Sequence, residues 1–132
     1  KGDFKGAIMD YSKAISLDSK YTVAYNNRGS AKYDAEDYTE ALNDFNKAIE
    51  LDPKYANAYN NRAATKIKLE DYKGAVEDCN TAIKINPSYG YAYSNRRNAK
   101  ELLRDDAGAC EDWKKAVELG VEVAKNHIGD FK

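Results

Sequence analysis

Few residues in this sequence have the types and spacing that catalysis needs. The single histidine, His127, has no serine or cysteine spaced as its nucleophile, and no glycine-rich phosphate loop is present. The carboxylate pairs Glu36–Asp37 and Glu70–Asp71 recur at one point of a repeated pattern, so we interpret them as helix starts. We therefore expect a protein that is not an enzyme and needs no cofactor.

The two cysteines stand at positions that other copies of the pattern fill with apolar side chains. Cys79 corresponds to Phe45 and Trp113, and Cys110 corresponds to Val76. We expect both thiols to be buried packing groups. Two cysteines and one histidine also do not make a zinc site.

Among the periodic residues of this sequence, asparagine is the one best suited to binding an extended peptide. Asn27, Asn61 and Asn95 recur every 34 residues. A side-chain amide both donates and accepts, so such a ladder can pair with the backbone of an extended ligand whatever its side chains. The alternative is that these amides face solvent or bond a neighbouring helix.

Arginine follows the same period, at Arg28, Arg62 and Arg96. The aspartates of one slot in the neighbouring segments are Asp10, Asp44, Asp78 and Asp112. This match favours internal ion pairs over a basic stripe for an anionic partner. Two pairings remain open, Arg28 with Asp10 or Arg28 with Asp44.

These side chains are positioned by an internal repeat. Residues 22–55 and 56–89 agree at 16 of 34 positions without a gap, residues 90–123 follow in register, and residues 1–21 match only the second half. A fixed period of this length is typical of a solenoid of stacked helical units.

Each unit reads as a helical hairpin. In the first full copy the apolar spacing predicts helices over Val23–Ala35 and Tyr38–Leu51, after which Pro53 blocks continuation. The turn between them is short, so the two helices must be antiparallel neighbours. Aspartates at the starts of second helices, namely Asp3, Asp37, Asp71 and Asp105, are placed to cap them.

The pattern resembles the tetratricopeptide repeat family, whose unit is a 34-residue helical hairpin. The resemblance rests on signature positions in the first full copy: Tyr25, Gly29, Tyr38, Ala41, Phe45, Ala48 and Pro53. The third copy departs from it at Arg97, Asp106 and Val121. It implies an all-α, right-handed superhelix in one domain over residues 1–132. A short capping helix is expected over residues 121–132.

The resemblance also implies a concave groove lined by the first helices, on the face opposite the signature tyrosine. The predicted groove residues are Asn26, Asn27, Ser30, Tyr33, Asp34, Asn57, Asn60, Asn61, Ala64, Ile67, Lys68, Tyr91, Ser94, Asn95, Asn98, Glu101 and Leu102. Tyr33 and Tyr91 are expected to project there without a packing role and to act as aromatic anchors.

One branch of that family uses a carboxylate clamp of lysine, arginine and asparagine to hold the acidic C-terminal tail of heat-shock chaperones. Asn61 matches the middle asparagine, but Tyr91 and Asn95 stand where the basic pair should be, and Asn26 and Ser30 replace the first lysine and asparagine. Without cations an acidic tail has little to pair with, so we reject this use.

Charge and hydropathy argue against two further classes of partner, nucleic acid and membrane. Lys and Arg number 21 against 22 Asp and Glu, which argues against binding to nucleic acid. No apolar run approaches the roughly 18 residues of a membrane-spanning helix. No signal-like segment is present, which favours a cytoplasmic address, and a start in mid-repeat suggests that sequence precedes Lys1.

We therefore expect a protein–protein interaction module that binds an extended segment of another protein in its groove. The alternative is a self-assembling scaffold. In that case the apolar face of residues 4–17, which lacks its partner helix, would associate with a second copy.

Overall fold

The computed structural model describes residues 3–121, and these form seven α-helices without strands. The helices are α1 Phe4–Leu17, α2 Thr22–Asp34, α3 Tyr38–Leu51, α4 Ala56–Lys68, α5 Tyr72–Ile85, α6 Gly90–Leu102 and α7 Asp106–Glu118. We call α2, α4 and α6 the first helices and the other four the second helices. The predicted capping helix, apart from Val121, and His127 lie outside the described residues.

Three of the four second helices are capped by an aspartate whose carboxylate bonds the residue three positions later. Asp71 accepts a hydrogen bond from the Gly74 amide at 3.0 Å, and Asp3 and Asp105 make the same bond to glycines. A Cβ at Gly74 would collide with the Asp71 carboxylate. Asp37 makes no such cap because Glu40 occupies that position, which corrects the expectation of four equal caps.

Small and apolar side chains hold the hairpins together. Alanines on α3 and α5 are fully buried where the helices come closest, as close helix packing requires. The two core clusters comprise Tyr33, Ala41, Phe45 and Ala64 in the first, and Ala63, Ile67, Ala75, Cys79 and Ala99 in the second. Each cluster includes a residue from the following hairpin, so stacking completes the core of each unit.

The stack curves in one direction. Helix α2 contacts α4 and α4 contacts α6, whereas within residues 3–121 no second helix contacts another second helix. Neighbouring first helices therefore lie on the inside of the curve and the second helices spread apart on the outside. The inner surface of the molecule is consequently made by α2, α4 and α6.

Candidate peptide-binding surface

The structure buries about half of the predicted groove residues. The buried members are Asn26, Ser30, Tyr33, Asn60, Asn61, Ala64, Ile67, Ser94 and Asn95. The half-buried members are Asn27, Asp34, Asn57, Tyr91 and Asn98, and Lys68, Glu101 and Leu102 are exposed. The reason is that the face opposite the signature tyrosine packs against the neighbouring first helix as well as facing the curve.

The asparagines of the predicted ladder bond one another between helices. Asn61 Nδ2 donates to Asn26 Oδ1 at 3.1 Å, and Asn95 Nδ2 donates to Asn60 Oδ1 at 2.8 Å. We call these two bonds the amide rungs. They agree with the alternative in which asparagine bonds a neighbouring helix, because Asn61 and Asn95 do not present their amides to solvent.

Two tyrosines that the sequence did not assign to the groove extend this network. The Tyr89 hydroxyl donates to Asn57 Oδ1 at 3.0 Å, and the Tyr55 hydroxyl accepts from Asn26 Nδ2 at 3.4 Å. Burial raises the pKa of both phenols. Their signal was the recurrence of tyrosine at residues 21, 55 and 89, just before each first helix.

The expectation that Tyr33 has no packing role is wrong. Its side chain is only 7% exposed and packs with Ala41 and Phe45, while its ring meets that of Tyr38 edge to face at 5.2 Å. Tyr91 packs against the same cluster but remains partly exposed. Of the two predicted anchors, only Tyr91 is accessible.

The accessible groove residues form two groups. Those on α4 and α6 are polar, aromatic and aliphatic, and we call them together the open strip: Asn57, Lys68, Tyr91, Asn98, Glu101 and Leu102. Those on α2 are Asn27 and Asp34, and with the buried Ser30 they line a cleft between α1 and α2. The strip can offer amide hydrogen bonds, one aromatic face and charges of both signs.

Each of the three periodic arginines forms an ion pair with an aspartate of its own hairpin. Arg62 binds Asp78 through two hydrogen bonds, Nε to Oδ2 at 2.9 Å and Nη2 to Oδ1 at 2.7 Å. Arg28 with Asp44 and Arg96 with Asp112 repeat this geometry. The hydrogen bonds to the aspartate raise the pKa of each arginine, against the opposing effect of burial. The prediction of internal pairs is confirmed, and the structure selects Asp44 over Asp10 as the partner of Arg28.

Each of these aspartates also binds a lysine, and each arginine reaches two more groups. Lys66 Nζ lies 3.0 Å from Asp78 Oδ2. Arg62 Nη1 donates to Asn46 of the preceding hairpin at 3.0 Å, and its guanidinium lies 5.6 Å from the centroid of the Tyr59 ring. These cations are therefore occupied on the packed side of the first helices and do not form a basic stripe.

The slots of the carboxylate clamp hold no cation. Asn26, Ser30, Asn61 and Asn95 are buried, and the fifth slot is Tyr91. Nearby lysines such as Lys66 are bound to aspartate on the packed side of their helix. An acidic tail laid along the inner surface would meet no paired cations at these five positions.

One of the two cysteines is buried and the other is exposed. Cys79 is fully buried, as expected, and that burial raises the pKa of its thiol. Cys110 is exposed, which contradicts the expectation, because in residues 3–121 no helix covers the far side of α7.

Within residues 3–121 no group of histidine, cysteine or carboxylate side chains could hold a metal ion. No helix of this part of the chain is long and apolar enough to cross a membrane.

Helical hairpins stacked at a 34-residue period define an α-helical repeat solenoid. Two family models match the chain, one described as TPR repeat over residues 29–69 and one as tetratricopeptide repeat over residues 56–89. The Arabidopsis OM64 TPR domain shares 30% sequence identity, with 75% of this chain and 82% of that one covered and a TM-score of 0.74. The chain belongs to the tetratricopeptide repeat family.

Other solved structures share the fold. The first TPR of Spaghetti (RPAP3), bound to the HSP90 peptide SRMEEVD, is 28% identical, with 86% and 92% of the two chains covered and a TM-score of 0.76. A crystal structure of MamA protein is 28% identical over 89% of this chain, with a TM-score of 0.80. The chain spans 66% and 64% of the two MamA structures it matches. No curated protein matches it.

Proposed function

We propose that this chain binds an extended segment of a partner protein along the open strip. The observation that carries the proposal is that Asn57, Tyr91 and Asn98 keep part of their surface exposed, whereas Asn61 and Asn95 are buried between neighbouring first helices. Membership of a family of interaction modules, with solved relatives that hold peptides, supports the same function. We propose no catalytic role.

The chemistry of the strip describes its ligand. Asn57 and Asn98 carry amides suited to a peptide backbone, and Tyr91 presents an aromatic face for an apolar side chain. Lys68 and Glu101 have opposite charges, so neither sign of ligand charge is favoured along the whole strip. The ligand is therefore a polar segment of low net charge with one apolar anchor.

The buried asparagines have a different role in this proposal. The amide rungs fix the spacing of α2, α4 and α6 and so hold Asn57 and Tyr91 at the right separation. Changing Asn61 and Asn95 to alanine is expected to lower the melting temperature, and to weaken binding only through that loss. Changing Asn57 or Tyr91 is expected to weaken binding directly. Because Tyr91 also packs against the first core cluster and Asn57 accepts a hydrogen bond from Tyr89, the affinity of each variant is measured at a temperature where that variant is fully folded.

The test uses peptides selected on the folded chain from a phage-displayed library of random 12-residue sequences. We expect Tyr91→Ala to weaken the selected peptides at least about tenfold, or about 1.4 kcal/mol. The matched control is Asn43→Ala, an exposed asparagine on an outer helix. Equal affinity for Tyr91→Ala and the unchanged chain, or loss only in the control, would contradict the proposal.

A second candidate is self-association through residues 4–17. Helix α1 contains no buried residue, and the side chains of Met9 and Leu17 are 70% and 85% exposed. Such apolar exposure favours a partner surface. Light-scattering mass measured against concentration distinguishes the candidates, because a strict monomer leaves only the open strip. A cytoplasmic location remains a prediction.

A further inference from the structure

A series of hydrogen bonds, which we call a relay, links α4 to α2 and ends at a tyrosine. Asn61 Nδ2 donates to Asn26 Oδ1 at 3.1 Å, and Asn26 Nδ2 donates to the Tyr55 hydroxyl at 3.4 Å. Asn26 thus accepts at its oxygen and donates from its nitrogen, which gives the relay one direction. Because the Tyr55 oxygen is the acceptor in the last bond, the Tyr55 hydroxyl still has its own proton to donate.

A second relay of the same residue types lies one repeat later. Asn95 Nδ2 donates to Asn60 Oδ1 at 2.8 Å. Burial raises the pKa of Tyr89, and the Asn60 amide beside its hydroxyl opposes that rise, although no hydrogen bond of ordinary geometry joins the two. The Tyr89 hydroxyl donates to Asn57 Oδ1 at 3.0 Å, so this relay ends at Asn57 Nδ2.

The two relays end in different groups because one slot differs between α2 and α4. The residue one repeat before Asn57 is Val23, which has no acceptor for the Tyr55 proton. Within residues 3–121 the side chains of Tyr55 and Asn57 make only the hydrogen bonds given above, so the Tyr55 hydroxyl and Asn57 Nδ2 can each donate another. Both side chains keep part of their surface exposed. A ligand therefore meets a donor at each of these two points.

The spacing of the two donors selects among ligand conformations. Asn57 lies on α4, and the Tyr55 hydroxyl lies against α2 through its bond to Asn26, so the donors belong to neighbouring first helices. Packed helices are about 8–10 Å apart. One side of a β-strand recurs about every 6.6 Å, whereas one side of a polyproline II helix recurs about every 9.3 Å, since it has three residues per turn and rises about 3.1 Å per residue. Polyproline II matches the helix spacing.

Tyrosine rings beside the donors suit proline side chains. Burial is the main cause of the raised pKa of Tyr89, and Tyr55 and Tyr91 lie close enough to add to it. All three tyrosines are only partly buried. Grooves lined with aromatic side chains are a recurring recognition surface for proline-rich segments. Because both donors are neutral, the ligand needs no charge at these positions.

We propose that the inner surface binds a proline-rich segment of a partner protein in the polyproline II conformation. Carbonyl groups three residues apart accept hydrogen bonds from the Tyr55 hydroxyl and from Asn57 Nδ2. These carbonyls are available because polyproline II has no internal hydrogen bonds, and proline has no N–H that would need an acceptor. This ligand is that of the proposed function, on which the assignment rests.

The probe is a labelled decaproline peptide, which is uncharged and prefers polyproline II. The matched probe is a ten-residue peptide of alternating glycine and serine, because it offers the same backbone carbonyls but has to be ordered on binding. We expect fluorescence anisotropy to show saturable binding of decaproline, and binding at least about tenfold weaker for the glycine–serine peptide. The NMR signals of the Asn57 side-chain amide should shift with decaproline.

Two substitutions remove one donor each and keep the shape of the side chain, so the fold should persist. Tyr55→Phe removes the hydroxyl. Asn57→Asp keeps the acceptor of the Tyr89 bond but has no N–H. We expect each change to weaken decaproline binding by about threefold to tenfold, the usual contribution of one hydrogen bond.

The controls are Tyr59→Phe, whose hydroxyl bonds to a backbone carbonyl, and Asn43→Asp on an outer helix. Both should bind decaproline as the unchanged chain does. No saturable binding of decaproline, or unchanged affinity in both Tyr55→Phe and Asn57→Asp, overturns the proposal. Library peptides that Tyr91→Ala weakens, but that lack proline and are not displaced by decaproline, would overturn it and leave the proposed function standing. Failure of the proposed function is a different result, a library without any peptide that Tyr91→Ala weakens.

Discussion

A methyl group on Gly29 would lie 2.7 Å from Cε1 of Phe45. Carbon atoms that are not bonded do not approach this closely, so the bulk of the Phe45 ring requires glycine on the facing helix. In the next hairpin the two slots hold Ala63 and Cys79, so a larger residue on the first helix accompanies a smaller one on the second. The last hairpin, with Arg97 and Trp113, does not follow this rule, and its Trp113 is 42% exposed. In the two hairpins where both side chains are buried, the size of one partner thus constrains the other.

We expect Gly29→Ala to destabilise the chain by about 1 kcal/mol, because overpacking exceeds the gain in helix propensity. When Phe45→Cys is made first, the same Gly29→Ala change should become stabilising, since it recreates the pair of the next hairpin. Urea unfolding of the four variants measures both values. If Gly29→Ala has one sign in both backgrounds, the two residues are not coupled through volume.

The ion pair of Arg62 and Asp78 gives a second prediction. Removing the guanidinium leaves the Asp78 side chain, which is 6% exposed, with Lys66 as its cation. We expect Arg62→Ala to cost about 2–3 kcal/mol, below the cost of a fully buried pair because Arg62 keeps 20% exposure. Denaturant titration measures the loss.

The control for that pair is Lys47 with Glu50, an ion pair at 3.7 Å whose side chains are 41% and 71% exposed. Lys47→Ala should cost less than about 0.5 kcal/mol. A loss for Arg62→Ala no larger than that of Lys47→Ala would show that burial adds nothing to the internal pairs.

The inner surface should reject acidic tails. We expect the peptide SRMEEVD, which the Spaghetti domain holds, to show no saturable binding to this chain. The reason is that the clamp slots hold four buried neutral side chains and Tyr91, without a cation for the carboxylates. Fluorescence anisotropy of the labelled peptide is the measurement, and the Spaghetti domain is the positive control. Saturable binding displaced by unlabelled peptide would refute this.

Stability should fall in alkali, beginning near the ordinary thiol pKa of 9.0. Burial raises the pKa of Cys79, so above that pH the unfolded chain releases a proton that the folded chain keeps. The free energy of unfolding should then fall by about 1 kcal/mol between pH 9 and 10, and the slope should approach about 1.4 kcal/mol per pH unit above that range. Tyr89 adds a similar loss above pH 10 because burial also raises its pKa.

Cys79→Ala should flatten the slope between pH 9 and 10, whatever it does to stability at neutral pH. Cys110→Ala is the matched control, because that thiol is exposed, and it should keep the slope. Both variants are unfolded with urea at several pH values in the presence of a reductant. An unchanged slope in Cys79→Ala would mean that another group is responsible.

The repeat, the helices and the internal ion pairs could be predicted because they depend on spacing along the chain. Arg28 and Asp44 are 16 residues apart, the distance between facing positions of one hairpin, and the same offset recurs in each copy. Pro53 and Pro87 mark the same boundary twice. Local chemistry and periodicity were sufficient for these features.

The burial of Asn61 and Asn95 could not be predicted in the same way. A helical wheel shows which face points away from the hairpin partner, but it does not give the angle between adjacent hairpins, and that angle decides whether the face meets solvent or another helix. A usable signal existed: Asn26 and Asn61, like Asn60 and Asn95, are 35 residues apart, one more than the repeat. Paired asparagines at that offset indicate contact between successive first helices.

The amide rungs also have a mechanical consequence. They tie α2 to α4 and α4 to α6 along the inner edge, whereas no second helix touches another within residues 3–121. The inner edge should therefore resist extension, while the outer edge can widen or narrow without breaking a rung. We therefore expect a change of curvature to stretch the contacts between successive hairpins outside the rungs, such as Arg62 with Asn46, while the rungs stay formed.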